Sequence, residues 1–135
     1  MSKILVAYDG SESSKRALEE AAKLCHNGAT MTVVSVAEEL PQFGRAAAML
    51  VPEEHEERRR ELREAKAMLG ERGIAARVVE RRGDAATKIL EEAEKEEAEL
   101  IVMGTRGLAS GKRWLLGSVS TKVLHHASSN VLVVR

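Results

Sequence analysis

Apolar residues along the chain gather in five short runs that are rich in Val, Ile and Leu. Within each run the apolar residues are nearly continuous, a pattern typical of strands that are covered on both faces of a sheet. We therefore predict five strands, at residues 4–8, 31–36, 74–79, 100–103 and 131–134.

The segments between these runs carry apolar residues at helical spacing instead. In the first segment, cap residues Ser11 and Ser13 precede an apolar stripe, and Asn27-Gly28 follows it. The stripe consists of Ala17, Leu18, Ala21, Ala22 and Cys25. Further helices are predicted at residues 52–70, from Gly83-Asp84 onward and from Ser118 onward. Charged pairs at i,i+4 in the second helix, such as Glu56 and Arg60, predict a solvated outer face.

Strands and helices alternate along the whole chain. This order predicts a parallel sheet with helices on both faces, joined by right-handed crossovers. A chain of 135 residues fits one compact domain, which we place at residues 1–135. The predicted fold class is thus a single doubly wound, five-stranded α/β domain. Residues 37–51 form its one long connection, in which residues 46–50 can make a short helical turn.

Charge and composition narrow the function classes. Lys and Arg number 21, as do Asp and Glu, so no net charge steers the chain toward nucleic acid or an anionic membrane. Tyr8, Phe43 and Trp114 are the whole aromatic set, too few for a base-stacking platform. The sequence moves straight into a strand without a signal peptide, and no apolar stretch is long enough to span a membrane. We expect a cytoplasmic protein with no nucleic-acid or membrane partner.

Ligands of open α/β sheets lie beyond the carboxyl ends of the strands, so we expect the chemistry there. Asp9 follows the first strand, and a glycine-rich segment follows the fourth. Gly104 and Gly107 let backbone amides approach a ligand closely, because no Cβ intervenes and positive φ costs little. Such amides suit phosphate oxygens, and Lys112 and Arg113 bring positive charge to the same loop.

The helix that follows this loop adds further donors. Gly117-Ser118 opens it, and the free N–H groups and dipole of a helix start favour an anion. The hydroxyls of Ser118 and Ser120 can add hydrogen bonds. Together the loop and the helix start predict a cradle for a polyphosphate that has no evident catalytic base.

Two other phosphate-binding loops do not fit. In a Walker A loop, four residues separate the glycines, whereas three separate Gly107 from Gly111. That loop also needs Ser or Thr after its lysine, whereas Arg113 follows Lys112. No G-x-G-x-x-G run follows any predicted strand, so a dinucleotide site of that type has no support.

One glycine spacing does fit: Gly104, two residues, Gly107, nine residues, Gly117 and Ser118. It resembles the nucleotide-binding pattern of ATP-binding universal stress proteins at every fixed position. The resemblance extends along the chain, since residues 3–11 look like the opening strand and acidic tip of that family. Residues 100–107 look like its penultimate strand, and residues 131–135 look like its last.

The resemblance implies the strand order 3-2-1-4-5, which places the ends of strands 1 and 4 side by side. It also implies that Ala7 and Asp9 border the adenosine of ATP and that Val36 forms the adenine wall. Asp9 would reach a Mg²⁺ ion through water. The implied ribose and phosphate ligands are Gly104, Thr105, Arg106, Gly107, Leu108, Ala109, Ser110, Gly117, Ser118, Val119 and Ser120.

Several interpretations remain open at this point. Asp9 can instead end the first strand and cap the following helix. The leading function is a regulatory or protective ATP-binding module with little or no hydrolysis. One alternative is an adenylating enzyme of the ATP pyrophosphatase type, although such enzymes carry a Ser-Gly-Gly-x-Asp-Ser loop after strand 1, where this chain has Asp9-Gly10-Ser11-Glu12-Ser13-Ser14. Another is an AMP-sensing interaction module.

The last strand predicts a homodimer. The apolar run from Val131 to Val134 occupies a sheet edge in the implied order, and only Arg135 guards it with a charge. Exposed apolar edges promote aggregation unless they are covered or paired. Antiparallel pairing with the same strand of a second copy satisfies two-fold symmetry and covers both edges. The family resemblance implies the same arrangement.

Overall fold

The computed structural model describes residues 3–25, 28–37, 52–105 and 117–135. These residues contain five strands, namely β1 (Lys3–Ala7), β2 (Thr30–Ala37), β3 (Ala76–Arg82), β4 (Leu100–Gly104) and β5 (Asn130–Val134). They also contain four helices, namely α1 (Glu12–Leu24), α2 (Pro52–Glu71), α3 (Ala85–Lys95) and α4 (Ser118–His126). The short helical turn predicted at residues 46–50 lies outside the described residues.

The five strands form one parallel sheet in the order β3-β2-β1-β4-β5. This confirms the doubly wound α/β fold and the strand order that the family resemblance implied. The order reverses between β1 and β4, where Ile4 pairs with Leu100 and Val6 with Val102. The carboxyl ends of these two strands therefore flank the crevice in which ligands of such sheets lie.

Each face of the sheet carries its own apolar cluster, because successive strand residues point to opposite faces. In β1, Ile4 and Val6 pack on the face covered by α1 and α2, whereas Leu5 packs on the face covered by α3 and α4. All three residues are almost fully buried. The near-continuous apolar run of β1 thus reflects burial on both faces, as the sequence predicted.

Strand β3 departs from its prediction. It spans Ala76–Arg82, whereas the apolar run predicted residues 74–79. The extra residues are charged, and β3 lies at an edge of the sheet, where flanking helices can pair with such side chains. Glu80 contacts Arg59 of α2 at 3.4 Å, and Arg81 donates to buried Glu92 of α3 at 2.7 Å. These ion pairs let a charged segment continue the strand.

The helix boundaries mostly follow the predicted caps. Ser11 caps α1 and Asp84 caps α3, each accepting a hydrogen bond from a backbone N–H three residues later. Helix α1 ends at Leu24, before the predicted stop at Asn27-Gly28. None of the helices in the described part of the chain has the length and apolar character needed to cross a bilayer.

Candidate functional site

The turn between β1 and α1 is held by its own side chains. The N–H of Ser11 donates to Asp9 Oδ1 at 2.9 Å, and the N–H of Ser14 donates to Ser11 Oγ at 3.2 Å. The hydroxyl of Ser14 donates to the Ser11 carbonyl oxygen at 3.0 Å and lies 3.4 Å from the N–H of Asp9. Asp9 therefore shapes this turn, but Ser11 and not Asp9 is the N-cap of α1, and the role of Asp9 at a nucleotide stays a prediction.

Glycine at position 104 makes room for the start of α1. A Cβ built on Gly104 would collide with the Ser13 side chain and lie 2.9 Å from the Ser13 backbone carbonyl carbon. Ser11 is the N-cap, so Ser13 is not the predicted cap; it lies inside α1, is buried, and packs against the end of β4. The sequence predicted that Gly104 admits a ligand; in the structure its close neighbour is Ser13. The absence of a side chain at Gly104 thus lets the end of β4 pack against the start of α1.

The two ends of the predicted phosphate loop meet at one point. The N–H of Gly117 donates to the Thr105 carbonyl oxygen at 2.6 Å, and the N–H of Thr105 donates to the Val134 carbonyl oxygen at 2.8 Å. The hydroxyl of Ser120, which is buried, lies within donating distance of the carbonyl oxygens of Thr105 and Gly117, at 3.0 and 3.1 Å. Ser120 therefore lies within hydrogen-bonding distance of the residues at both ends of the loop, Thr105 and Gly117. Its contact with phosphate stays a prediction.

The start of α4 lacks the caps that α1 has. Gly117 is the N-cap residue, no side chain among the described residues caps the helix, and no acidic residue lies in its first turn. Ser118 is exposed at this helix start, whereas Val119 is half-buried. The first N–H groups of a helix have no intrahelical partners and carry a partial positive charge. A helix start of this kind stabilises an anion at the carboxyl edge of the sheet.

The predicted adenosine residues lie on the same face of the sheet as α4. Ala7, Val36 and Val119 all pack against the cluster that includes buried Met103. An apolar surface on this face is thus continuous with the start of α4. Sequence reasoning did not single out Met103, although its position directly before Gly104 was a usable signal.

Other predicted site residues lie outside the described residues. These are Arg106, Gly107, Leu108, Ala109 and Ser110, together with the loop residues Lys112 and Arg113. Their roles at the phosphates stay predictions. The structure describes Ala7, Asp9, Val36, Gly104, Thr105, Gly117, Ser118, Val119 and Ser120 at the carboxyl edge of β1, β2 and β4 or at the start of α4.

Carboxylates surround the tip of β1. Burial raises the pKa of the Tyr8 hydroxyl, and the negative charges of Glu61, Glu64, Asp9 and Glu12 raise it further. Glu61 comes from α2, whose charged residues were predicted to form a solvated outer face. Sequence reasoning missed this contact because no local pattern distinguishes Glu61 from the other charged residues of the helix.

These features define a class: a doubly wound α/β protein whose crevice at the strand-order reversal joins an apolar surface to an uncapped helix start. The profile of the Universal stress protein family matches residues 1–135. A universal stress protein of Thermus aquaticus is 40% identical over 135 residues, covering 98% of this chain and 97% of the relative. The chain belongs to the universal stress protein family, as the glycine spacing indicated.

Solved structures agree with this assignment. Universal stress protein UspA from Lactobacillus plantarum superposes with a TM-score of 0.88 at 25% identity, covering 99% of this chain and 97% of that one. A universal stress protein crystallised in complex with cAMP superposes with a TM-score of 0.76 at 27% identity, covering 98% and 96%. At least one relative with this fold thus binds an adenine nucleotide.

Proposed function

We propose that this protein binds ATP in the crevice between the ends of β1 and β4 and acts in the cytoplasm as a regulatory or protective module in the stress response. The observation that carries the proposal is the start of α4, which has no acidic first turn and, within the part of the chain that the structure describes, no side-chain cap. A helix start of this kind stabilises phosphate groups. The partly exposed apolar side chains of Ala7 and Val36 lie on the same face of the sheet as α4 and suit a base.

The β1–α1 turn argues against the alternative of an adenylating enzyme. In that enzyme type the phosphate loop follows strand 1. Here the β1–α1 turn is occupied by the hydrogen bonds of Asp9, Ser11 and Ser14. Because its own side chains occupy the β1–α1 turn, the structure favours a binding module over adenylation.

Magnesium would come with the nucleotide. Within the described residues, no group of three His, Cys, Asp or Glu side chains is placed to hold a metal ion. Asp9 is the carboxylate at the tip of β1, and one of its oxygens already accepts the N–H of Ser11. A single carboxylate fits a Mg²⁺ ion that is held by the ATP phosphates and that contacts Asp9 through a water molecule.

We propose little or no hydrolysis. Phosphoryl transfer needs an aligned nucleophile and a group that positions it beside the γ-phosphate. Near the start of α4, the hydroxyl of Ser120 is directed at backbone carbonyl oxygens. Turnover in the ordinary enzyme range of about 1 to 10³ per second would overturn the regulatory interpretation.

An AMP-type ligand is the second candidate, because a relative binds cAMP. Calorimetric titration with adenosine, AMP, cAMP, ADP and ATP separates the two. Affinity that rises from AMP to ADP to ATP supports the proposal, since each added phosphate contacts the α4 side. Equal affinity for AMP and ATP supports the AMP-sensing module, and no binding by any of them overturns both.

We also propose a homodimer through β5. This strand is the last in the sheet, and its apolar residues Val131 to Val134 are only half-buried in the single chain. Pairing with a second copy would cover them. Val133→Lys should produce monomers while leaving nucleotide affinity intact, measured by sedimentation and calorimetry. Sedimentation of the unaltered protein as a monomer at micromolar concentration would contradict the dimer.

A further inference from the structure

Strands β2 and β3 continue past the end of β1. The last pair between β1 and β2 is Ala7 with Val34, and the N–H of Tyr8 donates to the Val34 carbonyl oxygen at 2.9 Å. Beyond this point residues 35–37 of β2 pair with residues 80–82 of β3, and with no other strand that the structure describes. We call these two segments the overhang. It lies beside the end of β1, at the crevice.

Val36, the predicted adenine wall, lies in the overhang. The Ala37 carbonyl oxygen accepts the N–H of Gly83, which follows β3, at 3.0 Å. The Val34 carbonyl oxygen points the other way, to the chain after β1. Main-chain groups alternate between the two sides of a strand, so those of Val36 point, like those of Val34, to the side of β1. A shift of the overhang therefore moves Val36 relative to the crevice.

One buried ion pair holds the overhang to α3. Arg81 is the register partner of Val36, and its Nη1 donates to Glu92 Oε1 at 2.7 Å. The Glu92 side chain is fully buried, and no donor among the described residues reaches its second oxygen, Oε2. Burial of a carboxylate oxygen without a donor costs free energy, which an apolar side chain would avoid. A role in position accounts for Glu92 better than a role in stability.

The other contacts of the overhang are more exposed. Arg81 Nη2 donates to Glu91 Oε2 at 3.0 Å, and the Glu91 side chain is about half exposed. On the opposite face of β3, Glu80 lies 3.4 Å from Arg59 of α2, and both of these side chains meet solvent. Exposed ion pairs contribute little, because water screens them. The contact between Arg81 and Glu92 is the best shielded of the three.

We propose that Glu92 is a positioning residue for the nucleotide site: through Arg81 it fixes the overhang, and with it the place of Val36 at the crevice. Because Glu92 is fully buried, it acts on a ligand only through these two residues. The effect on the nucleotide rests on the proposed function, whereas the effect on the overhang does not. Loss of the Glu92 charge loosens the overhang and weakens the contact of Val36 with the base.

Helix α3 offers a matched control for Glu92. Glu96 follows it by one helical turn, at the C-cap of α3, and pairs with Arg77 of β3. The register partner of Arg77 is Thr32, and β1 flanks Thr32 on its other side. This part of the sheet is held between two neighbouring strands. Loss of the Glu96 contact should therefore leave the overhang in place.

Amide hydrogen exchange tests the proposal without any nucleotide. The reporter is the N–H of Gly83, which donates to Ala37 at the end of the overhang, and the reference is the N–H of Tyr8. Glu92→Gln keeps the side-chain volume and removes the charge. It should speed exchange at Gly83 by about three- to tenfold and leave Tyr8 unchanged. Glu96→Gln should change neither rate.

Two exchange results would overturn the proposal. One is an unchanged rate at Gly83 in folded Glu92→Gln. The other is an equal acceleration at Gly83 and Tyr8, which would mean that Glu92 supports the whole fold. If Glu92→Gln fails to fold, Arg81→Lys tests the same contact from its partly exposed partner. Lysine cannot contact two carboxylates in the same geometry, so Gly83 should again exchange faster, and an unchanged rate overturns the proposal equally.

Calorimetric titration connects Glu92 to the nucleotide. In Glu92→Gln the affinities for adenosine and ATP should fall by the same factor, about three- to tenfold, because Val36 borders the base and not the phosphates. In Glu96→Gln both affinities should stay the same. Unchanged affinities in Glu92→Gln would overturn the role in binding. If the unaltered protein binds no nucleotide, the proposed function fails instead, while exchange at Gly83 still decides whether Glu92 fixes the overhang.

Discussion

The starts of α1 and α4 both lie at the crevice, and they differ in which groups cap their first N–H groups. In the β1–α1 turn the protein does so itself, with the Ser11 cap and the Asp9 hydrogen bond. At the start of α4 the cap residue is Gly117, and no side chain among the described residues caps the helix. The two helix starts thus differ: the first is capped by its own side chains, and the second is where we propose that a ligand binds.

The comparison also explains why two glycines at these turns are not interchangeable. Gly104 is needed because Ser13 occupies the space of a side chain, whereas Gly10 is needed because of its positive φ and the Glu61 carboxylate. One glycine lets two backbones pack, and the other shapes a turn. Substitutions at these sites separate the two contributions.

The largest effect is expected for Gly104→Ala. Its Cβ would meet the backbone of Ser13, which cannot move without shifting α1, so we expect a loss of about 1–3 kcal/mol in unfolding free energy. Gly70→Ala is the control, since a Cβ there meets nothing within 4 Å. It lies inside α2 and should be stabilising. Urea unfolding measures both, and equal stability of the two variants would contradict the packing role of Gly104.

Gly10→Ala should cost somewhat less. The left-handed backbone alone costs about 1–2 kcal/mol for a residue with a Cβ, and displacement of Glu61 adds to it. Gly73→Ala isolates the backbone contribution, because Gly73 has a φ of +76° and open space around it. Denaturant unfolding of both variants in the presence and absence of Glu61→Ala gives the contribution of the carboxylate contact. No difference between the two glycine variants would show that this contact is unimportant.

Ser11→Ala should have the smallest of these effects. Loss of an N-cap serine typically costs about 1 kcal/mol, because a first-turn N–H loses its partner. Ser118→Ala is the matched change at α4, where no side chain acts as cap, so its stability should hardly change. Thermal unfolding compares the two. A loss at Ser118 as large as that at Ser11 would mean that α4 is capped after all.

Much of the fold was predictable because it depends on local patterns. Burial on both faces of β1 produces a continuous apolar run, and the Ser11 and Asp84 caps have clear sequence signals. The strand order followed from the family resemblance, which rested on the spacing from Gly104 to Ser118. The charged residues at the end of β3 form ion pairs with two helices. No short stretch of sequence reveals such contacts.

The candidate site was predictable in its location and less so in its contacts. Asp9 and Gly104 were placed correctly at neighbouring strand ends, since the switch point follows from topology. The packing of Ser13 on Gly104 and the position of Glu61 over Gly10 join residues far apart in sequence. Such contacts depend on how the helices pack on the sheet. In the sequence, a charged helix residue such as Glu61 cannot be distinguished from the other charged residues on the surface of the helix.

The central claim is that the uncapped start of α4 receives the phosphates, and Ser118→Asp tests it most directly. An aspartate in the first turn favours the helix, so the fold should be kept or slightly stabilised. The same charge repels phosphates, so ATP affinity measured by calorimetry should fall by at least about tenfold, with adenosine affinity unchanged. Ser118→Asn, which is neutral and nearly equal in shape to aspartate, should lose only the hydroxyl contact and bind ATP more tightly than Ser118→Asp. Undiminished ATP affinity in folded Ser118→Asp would contradict the account.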